Sequence, residues 1–217
     1  MGTRILLADD HRIVREGIRA LLLEETNMLV VGEAETGREA VELARKLKPD
    51  VVVMDIAMPD LNGMDATRQI MDACPSTRVI ALSMHSDKRF VREMLLAGAA
   101  GYLRKGCQFD ELVEAIQTVV VGETYLAPEI ASAVAADYVD YVSRGAPSAL
   151  SSLTPREREV LQLLAEGKRT KQIGGMLHVS VKTVSTHRRH IMKKLGVDSL
   201  AGLIKYAVRE GITSVEP

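Results

Sequence analysis

The sequence lacks any apolar run near the roughly 18 residues that a membrane helix needs, and its N-terminus has no signal-peptide pattern. Only two cysteines occur among 217 residues, Cys74 and Cys107, in a spacing that suits neither a metal site nor a redox motif. Short-period repeats and low-complexity tracts are also missing. These absences argue against membrane-spanning and disulfide-stapled classes. We expect a cytoplasmic protein with no membrane association and with reduced cysteines.

Net charge is almost absent overall but is sharply divided along the chain. The formal net charge is −1, yet residues 1–149 carry −7 and residues 150–217 carry +6. An acidic part joined to a basic part indicates that only the second part meets nucleic acid. The length allows one or two domains, and an apolar content of 47% allows each part its own core.

Short apolar runs rich in Val, Ile and Leu recur through the first part, with amphipathic stretches such as "GREAVELARKL" between them. The five runs are Ile5–Ala8, Met28–Val31, Val51–Met54, Val79–Leu82 and the weaker Ala100–Leu103. Continuous apolar runs are typical of strands buried on both faces of a parallel sheet. The pattern predicts an α/β fold, a doubly wound five-stranded parallel sheet.

Polar residues follow four of these strands at their carboxyl ends, where ligands bind in such sheets. They are Asp9 and Asp10 after the first strand, Asp55 after the third, Ser83 after the fourth and Lys105 after the fifth. Three neighbouring carboxylates need a cation, and oxygen ligands without His or Cys suit Mg²⁺. A carboxylate can attack phosphorus while an ammonium and a hydroxyl stabilise the phosphoryl charge. A solvated loop explains one such acid, but the five together predict phosphoryl transfer.

The stretches "LLADDH", "VVVMDIAMPDLNGMD", "IALSMH" and "GAAGYLRKG" resemble the receiver domain of bacterial two-component response regulators, over about residues 3–121. The resemblance implies a flavodoxin-like fold whose Asp55 is phosphorylated by a sensor histidine kinase. It implies that Mg²⁺ is held by Asp9, Asp10, Asp55 and the backbone carbonyl of Ala57. It also implies that Ser83 and Lys105 hold the phosphoryl oxygens, and that Tyr102 turns inward when Ser83 moves.

Other positions of the same motifs carry weaker implications. Pro59 and Gly63 match the loop after the acceptor and are expected to be structural. The family varies at the second residues after the acceptor and after Ser83, which here are Ala57 and His85. A small residue at 57 leaves a phosphoryl group more open to water. His85 either orients that water or faces solvent, so the rate of autodephosphorylation stays open.

A join follows the receiver-like part. The stretch "PEIASAVAADYVDYV" predicts a helix with Pro128 in its first turn and with apolar positions at Ile130, Val134 and Val142. Its two Tyr–Val pairs are expected to pack on a domain or on a second subunit. The stretch "SRGAPSALSS" predicts a flexible connection. We therefore expect a receiver domain at 1–121, a linker at 122–150 and a second domain at 151–217.

The second domain is predicted to be a small all-α domain of four helices. Thr154 caps the first helix in a capping box with Glu157, Pro155 occupies its first position, and Gly167 ends it. The other helices are predicted at about Thr170–Leu177, from Ser180 to about Leu195, and at about Ser199–Arg209. Two helices joined by a short turn, the second basic, describe a DNA-binding helix-turn-helix. Charge alone would favour an ordinary solvated helix, but the capped helices in this order favour DNA binding.

The stretch "LTPREREVLQLLAEGKRTKQIGGMLHVSVKTVSTHRRHIMKKLGV" resembles the LuxR-type DNA-binding domain. With the receiver, it makes the chain resemble a NarL/FixJ-family response regulator. By position, the residues expected to face bases are Ser185, Thr186 and Arg189. Those expected to serve the DNA backbone or flank the groove are Lys171, Lys182, Thr183, His187, Arg188 and Lys193. A zinc site at His187 and His190 is disfavoured because no third ligand is evident nearby.

One stretch departs from the family pattern. Gly174 and Gly175 stand where better helix formers are usual. Each Gly costs about 1 kcal/mol relative to Ala within a helix. Either a close helix crossing needs the space, or this helix is weak and DNA affinity suffers.

The function predicted from these features is phosphorylation-controlled transcriptional regulation. Phosphorylation of Asp55 is expected to promote a homodimer, to free the DNA-binding domain for a double-stranded operator, or both. Two alternatives remain. A Mg²⁺-dependent phosphatase with Asp55 as transient nucleophile leaves the basic domain idle. A phosphorylation-independent dimerisation scaffold would not need the full acidic set.

Overall fold

The computed structural model of the protein describes residues 2–84, 88–128, 130–132, 134 and 149–213. The chain divides into two compact units, Met1–Ser143 and Arg144–Pro217. Within the described ranges, no helix combines the length and the apolar character needed to cross a bilayer.

The first unit is a parallel α/β sheet in which strands alternate with helices. The strands are β1 (Thr3–Ala8), β2 (Met28–Ala34), β3 (Val51–Asp55), β4 (Arg78–Ser83), β5 (Gly101–Arg104) and β6 (Tyr125–Leu126). The helices are α1 (Arg12–Leu22), α2 (Gly37–Leu47), α3 (Gly63–Ala73), α4 (Lys88–Leu96) and α5 (Phe109–Val120). The strand order is β2-β1-β3-β4-β5-β6, and every pairing is parallel.

The central strands are buried on both faces, which explains their continuous apolar runs. In β1, Ile5 and Leu7 belong to one core cluster, whereas Leu6 and Ala8 belong to the cluster on the opposite face. The predicted doubly wound fold is confirmed, and each of the five predicted runs lies in a strand apart from Ala100, which precedes β5. The sixth strand was not predicted, because its two residues are too short for an apolar run.

The loop after β3 is shaped by contacts that only certain residues permit. A Cβ on Gly63 would lie 2.0 Å from the carbonyl oxygen of Asp55, so the start of α3 requires glycine to pack this closely. The Asn62 side chain caps α3 by accepting a hydrogen bond from the Asp65 amide at 2.9 Å. These contacts fix the loop beside Asp55, in agreement with a structural role for Gly63.

The predicted linker is described only in part. Pro128, residues 130–132 and Val134 are helical, and Ile130 and Val134 pack on the core of the first unit. The beginning of the linker therefore continues the first unit. Several predicted features lie outside the described residues: Val142, both Tyr–Val pairs, His85, and the Ser/Gly/Pro-rich stretch as far as Ser148, with Pro147.

The second unit is helical. A short 3₁₀ turn (Ala149–Ser152) precedes α6 (Pro155–Ala165), α7 (Thr170–Met176), α8 (Val181–Leu195) and α9 (Leu200–Arg209). The core joins apolar faces of all four helices, with Val160, Ile173, Ile191 and Leu203 each fully buried.

The ends of these helices follow the predicted signals. Thr154 and Glu157 form the capping box of α6, and Gly167 follows that helix with a φ of 77°. The Ser180 hydroxyl accepts a hydrogen bond from the Thr183 amide at 3.0 Å, and Ser199 caps α9 in the same way. The four predicted helices are thus present within one or two residues of their expected bounds.

The two glycines of α7 have different surroundings. A Cβ on the buried Gly174 would lie 2.9 Å from the carbonyl oxygen of Val179, in the turn before α8. A Cβ on the exposed Gly175 would meet nothing within 4 Å. Close packing therefore accounts for Gly174, whereas nothing in the structure explains Gly175.

Candidate functional site

The carboxyl ends of β1 and β3 bring the predicted acidic residues together. Ligand atoms of Asp9, Asp10, His11 and Asp55 all lie within 4.8 Å of one another. Asp9 and Asp55 are buried, while Asp10 and His11 are exposed. This arrangement follows from the strand order, because β1 and β3 are neighbours and end at the same edge.

Lys105 bridges the two buried carboxylates. Its Nζ lies 2.7 Å from Oδ2 of Asp55 and 2.9 Å from Oδ2 of Asp9, and its side chain is only 7% exposed. Lys105 reaches this place because it directly follows β5, where its amide donates to the Ser83 carbonyl at 2.8 Å. One ammonium therefore compensates two buried negative charges in part.

Burial dominates the protonation behaviour of this pocket. Burial, opposed by the charge of Lys105 and supported by the nearby Asp9 carboxylate, raises the pKa of Asp55 to about 6. For Lys105, burial alone would lower the pKa, but the Asp55 carboxylate and its hydrogen bond raise it above the usual value. Burial and the Lys105 ammonium thus act on Asp55 in opposite directions, and the balance leaves its pKa closer to neutral than that of an ordinary carboxyl group.

Three further predicted residues lie on or directly after the strands that end at this pocket. Ser83 is buried at the end of β4, next to β3. Tyr102 on β5 is fully buried, which is the inward position that the resemblance attributes to the switch aromatic. Ala57 lies just beyond Asp55, and its amide donates to Oδ1 of Asp55 at 3.4 Å.

A second candidate site is the basic face of α8. Lys182, Ser185, Arg189 and Lys193 are exposed on this helix, as is Lys171 on α7. Thr183, Thr186, His187 and Arg188 are half-buried. Val184 and Ile191 are fully buried and attach the opposite face to the core. The helix therefore presents the predicted DNA-contacting residues away from the interior or at its margin.

Lys194, the neighbour of Lys193 on α8, pairs with an acidic residue of α6. Its Nζ lies 2.6 Å from Oε2 of Glu157, whose side chain is 5% exposed. Glu157 also accepts a hydrogen bond from the Thr154 amide at 2.8 Å. Lys194 thus ties α8 to α6.

Comparison with known proteins identifies both units. A family model described as "Response regulator receiver domain" matches residues 5–117, and one described as "Bacterial regulatory proteins, luxR family" matches residues 151–207. The transcriptional regulatory protein MctR of Rhizobium johnstonii is 38% identical over 97% of this chain and 95% of its own length. The chain belongs to the LuxR-family response regulators.

Solved structures agree with this assignment. A LuxR-family two-component response regulator from Aurantimonas shares 39% identity, with a TM-score of 0.61 over 64% of this chain and 99% of that chain. RcsB of Salmonella enterica serovar Typhimurium, bound to promoter rprA with the phosphomimetic BeF₃⁻, shares 27% identity. Its TM-score is 0.63 over 95% of this chain and 98% of that chain. The response regulator is therefore a DNA-binding transcriptional regulator and not a conventional enzyme.

Two residues beside the acidic cluster, His11 and Arg15, have no role predicted from the sequence. His11 lies with Nδ1 at 2.7 Å from Oδ1 of Asp10 and 3.2 Å from Oδ1 of Asp9. Arg15 is buried and donates to the Asp9 carbonyl at 2.6 Å. His11 was detectable from its position beside the acidic pair. Arg15 had no such signal, because its burial depends on how α1 packs against β2.

The chemistry of the pocket fits a hard divalent cation. Asp9 Oδ2 is a buried carboxylate oxygen that lies 2.9 Å from Lys105 Nζ and has no other hydrogen-bond donor among the described residues. The three carboxylates of Asp9, Asp10 and Asp55 offer oxygen ligands of the kind that suits Mg²⁺ or Mn²⁺. Receiver domains bind Mg²⁺ at an acidic pocket of this kind, and the Asp cluster has the donors to do so.

Proposed function

We propose that Asp55 accepts a phosphoryl group from a sensor histidine kinase and that this modification controls DNA binding by the second unit. The observation that carries the proposal is the pair of contacts made by Lys105, at 2.7 Å to Asp55 and 2.9 Å to Asp9. Lys105 is thus a buried cation beside the carboxylate that would act as the nucleophile. An exposed acidic loop would not need a buried ammonium.

In the proposed reaction, a carboxylate oxygen of Asp55 attacks the phosphorus of the donor. A new phosphorus–oxygen bond forms, the bond from phosphorus to the donor atom breaks, and its electron pair leaves with the donor. Lys105 neutralises charge on the phosphoryl oxygens, and the Ser83 hydroxyl donates a hydrogen bond to them. Catalysis by the receiver is limited to its own phosphorylation and dephosphorylation.

Asp9, Asp10, Asp55 and the backbone carbonyl of Ala57 would hold Mg²⁺. When bound, the ion would neutralise negative charge on the phosphoryl group and the carboxylates. The chain's own groups already orient part of this set, since the His11 amide donates to Oδ1 of Asp9 at 2.9 Å.

The output is proposed to pass through Ser83 and Tyr102. Movement of Ser83 toward a phosphoryl group would change the packing around Tyr102, which is fully buried, and so alter the receiver surface. We expect a cytoplasmic homodimer in the phosphorylated state. The proposed organisation is a receiver at 1–121, a linker at 122–150 whose first residues add β6 and a helical segment to the receiver unit, and a DNA-binding domain at 151–217.

On DNA, the proposed base contacts come from Ser185, Thr186 and Arg189 of α8. The proposed backbone or flanking contacts come from Lys171, Lys182, Thr183, His187, Arg188 and Lys193. Arg189 has the paired donors that recognise guanine in the major groove. Exposed lysines would instead neutralise phosphates.

The deciding experiment measures the intact mass of wild type and Asp55→Asn after incubation with acetyl phosphate and Mg²⁺. A single phosphoryl adduct that needs Mg²⁺ and is absent from the variant is expected. Size-exclusion chromatography of the same samples then tests the dimer, and binding to duplexes selected from a random 20-base-pair library tests the output. No adduct on folded wild type would refute the phosphoacceptor proposal. DNA binding unaffected by Asp55→Asn and by phosphorylation would favour the scaffold alternative.

A further inference from the structure

Arg15 differs from the other arginines of α1 in its burial. Its side chain is 6% exposed, whereas that of Arg12, one turn earlier, is 79% exposed and pairs with Glu16. Burying a guanidinium is costly unless its charge and its donors are satisfied. The surroundings of Arg15 should therefore reveal what the burial achieves.

The guanidinium of Arg15 joins the ends of two strands. One terminal nitrogen donates to the backbone carbonyl of Asp9 at 2.6 Å. Nε donates to Glu33 at 3.3 Å, and the other terminal nitrogen donates to Glu35 at 2.5 Å. Glu33 belongs to β2 and Glu35 follows it directly, so the planar fork ties the end of β1 to the end of β2.

Asp9 is consequently held from several sides. Its amide donates to the Ala34 carbonyl at 3.1 Å, and its Oδ1 accepts from the His11 amide at 2.9 Å. With the Arg15 contact on its carbonyl, both backbone polar groups of Asp9 are fixed. Its other carboxylate oxygen, Oδ2, is left facing the pocket beside Lys105.

We propose that Arg15 is a positioning residue for divalent-cation binding, acting through the Asp9 carbonyl and through the two glutamates that fix its own guanidinium. This inference rests on the proposed function only in placing the cation at Asp9. A cation binds more tightly when outer contacts already hold its ligands in place. Arg15 supplies that restraint from outside the ligand set.

The charge of Arg15 and its positioning role predict opposite effects on cation affinity when Arg15 is replaced, so the inference can be tested. Removing a nearby positive charge would by itself strengthen the binding of a cation. Removing a support behind a ligand weakens metal binding, by about 10–100-fold for such outer contacts. Arg15→Met removes both charge and support, while Arg15→Lys keeps the charge and loses the fork.

The experiment measures Mn²⁺ binding to the full chain by electron paramagnetic resonance, with competition by Mg²⁺. We expect Arg15→Met to bind about tenfold more weakly and Arg15→Lys about threefold more weakly than wild type. Arg12→Met is the matched control and should bind as wild type does. Asp10→Asn, which removes a proposed ligand, locates the signal in this pocket. Unchanged or tighter binding by Arg15→Met would overturn the inference.

Phosphorylation by acetyl phosphate gives a second readout. Arg15→Met should need about tenfold more Mg²⁺ for half-maximal rate, while its rate at saturating Mg²⁺ stays within about twofold of wild type. A lower saturating rate with unchanged Mg²⁺ dependence would contradict the positioning role.

The two proposals fail separately. If wild type binds Mn²⁺ but forms no adduct, the proposed function fails while the binding comparison still decides the role of Arg15. Circular dichroism checks that each variant folds. Should Arg15→Met not fold, Arg15→Lys decides alone, and wild-type affinity in that variant would overturn the inference.

Discussion

The receiver pocket and the basic helix both depend on charged side chains, but they use them in opposite ways. The side chains of Asp9, Asp55 and Lys105 are at most 7% exposed, and Lys105 contacts both carboxylates directly. On α8, Arg189 and Lys193 point into solvent. Buried charges interact strongly and must be matched, whereas exposed charges are screened and act through their sum. Altering the pocket should therefore change folding, and altering the exposed face should change only binding.

Lys105→Met should test this comparison with the largest effect. It leaves two buried carboxylates without their ammonium, and removing one partner of a buried pair costs about 3 kcal/mol or more. We expect the free energy of unfolding at pH 7.5, measured by urea titration without divalent cations, to fall by about 3 kcal/mol. Lys46→Met, at an exposed position, is the control and should stay within about 0.5 kcal/mol of wild type.

The pH dependence of that loss follows from Asp55. The pKa of Asp55 in the folded protein, about 6, lies above the ordinary value of a carboxyl group. Protonation of Asp55 therefore stabilises the fold at low pH, and this stabilisation is lost as the pH rises through 6. Without Lys105 the pKa should rise further. The defect of Lys105→Met should therefore shrink as the pH falls toward 5, and Asp55→Asn should rescue much of it at pH 7.5. A defect of equal size at both pH values would contradict this account.

The two glycines of α7 extend the comparison of buried with exposed positions to uncharged residues. Gly174→Ala places a Cβ 2.9 Å from the Val179 carbonyl oxygen and should lower the free energy of unfolding by about 2 kcal/mol. Gly175→Ala enters open space and should raise it by about 0.5–1 kcal/mol, because alanine loses less entropy in a helix. Thermal and urea unfolding of the full chain measure both. If both variants were less stable than wild type, the account of Gly175 as an exposed position with free space around it would be wrong.

Much of this organisation could be predicted from the sequence because it depends on local patterns. The apolar runs located the five longer strands, and the residues that follow them located Asp9, Asp55 and Lys105, since parallel strands share an edge. Capping residues located the helices of the second unit within one or two positions. Such signals lie within a few residues of the feature that they predict.

What the sequence did not predict depends on contacts between distant residues. Arg15 is buried because Glu33 and Glu35, 18 and 20 positions later, stand beside it. Lys194 turns inward because Glu157, 37 positions earlier, lies beneath it. Neither contact leaves a periodic trace, so each residue looks like an ordinary exposed cation in the sequence.

Replacing Lys193 or Lys194, which are neighbours on α8, should have the smallest effects on stability. The two variants should also separate a charge paired with a buried partner from a charge exposed to solvent. Lys194 pairs with the buried Glu157, but its own side chain is 36% exposed, so Lys194→Met should cost only about 1 kcal/mol. Burial opposes ionisation of Glu157, but hydrogen bonds from Lys194 and Thr154 outweigh it and lower the pKa. A lowered pKa stabilises the fold above the ordinary pKa and loses that effect as the pH falls. The difference from wild type should therefore fade below about pH 4.

Lys193→Met should show the reverse pattern. Its stability should stay within about 0.5 kcal/mol of wild type, because the side chain is exposed. In its binding to a selected duplex, the slope of log affinity against log salt concentration should fall by about 1, the value expected for one lost phosphate contact. Lys194→Met should keep the wild-type slope. Equal loss of slope in both variants would mean that Lys194 leaves Glu157 for a phosphate on DNA, and the division between structural and DNA-binding charge on α8 would then depend on whether DNA is bound.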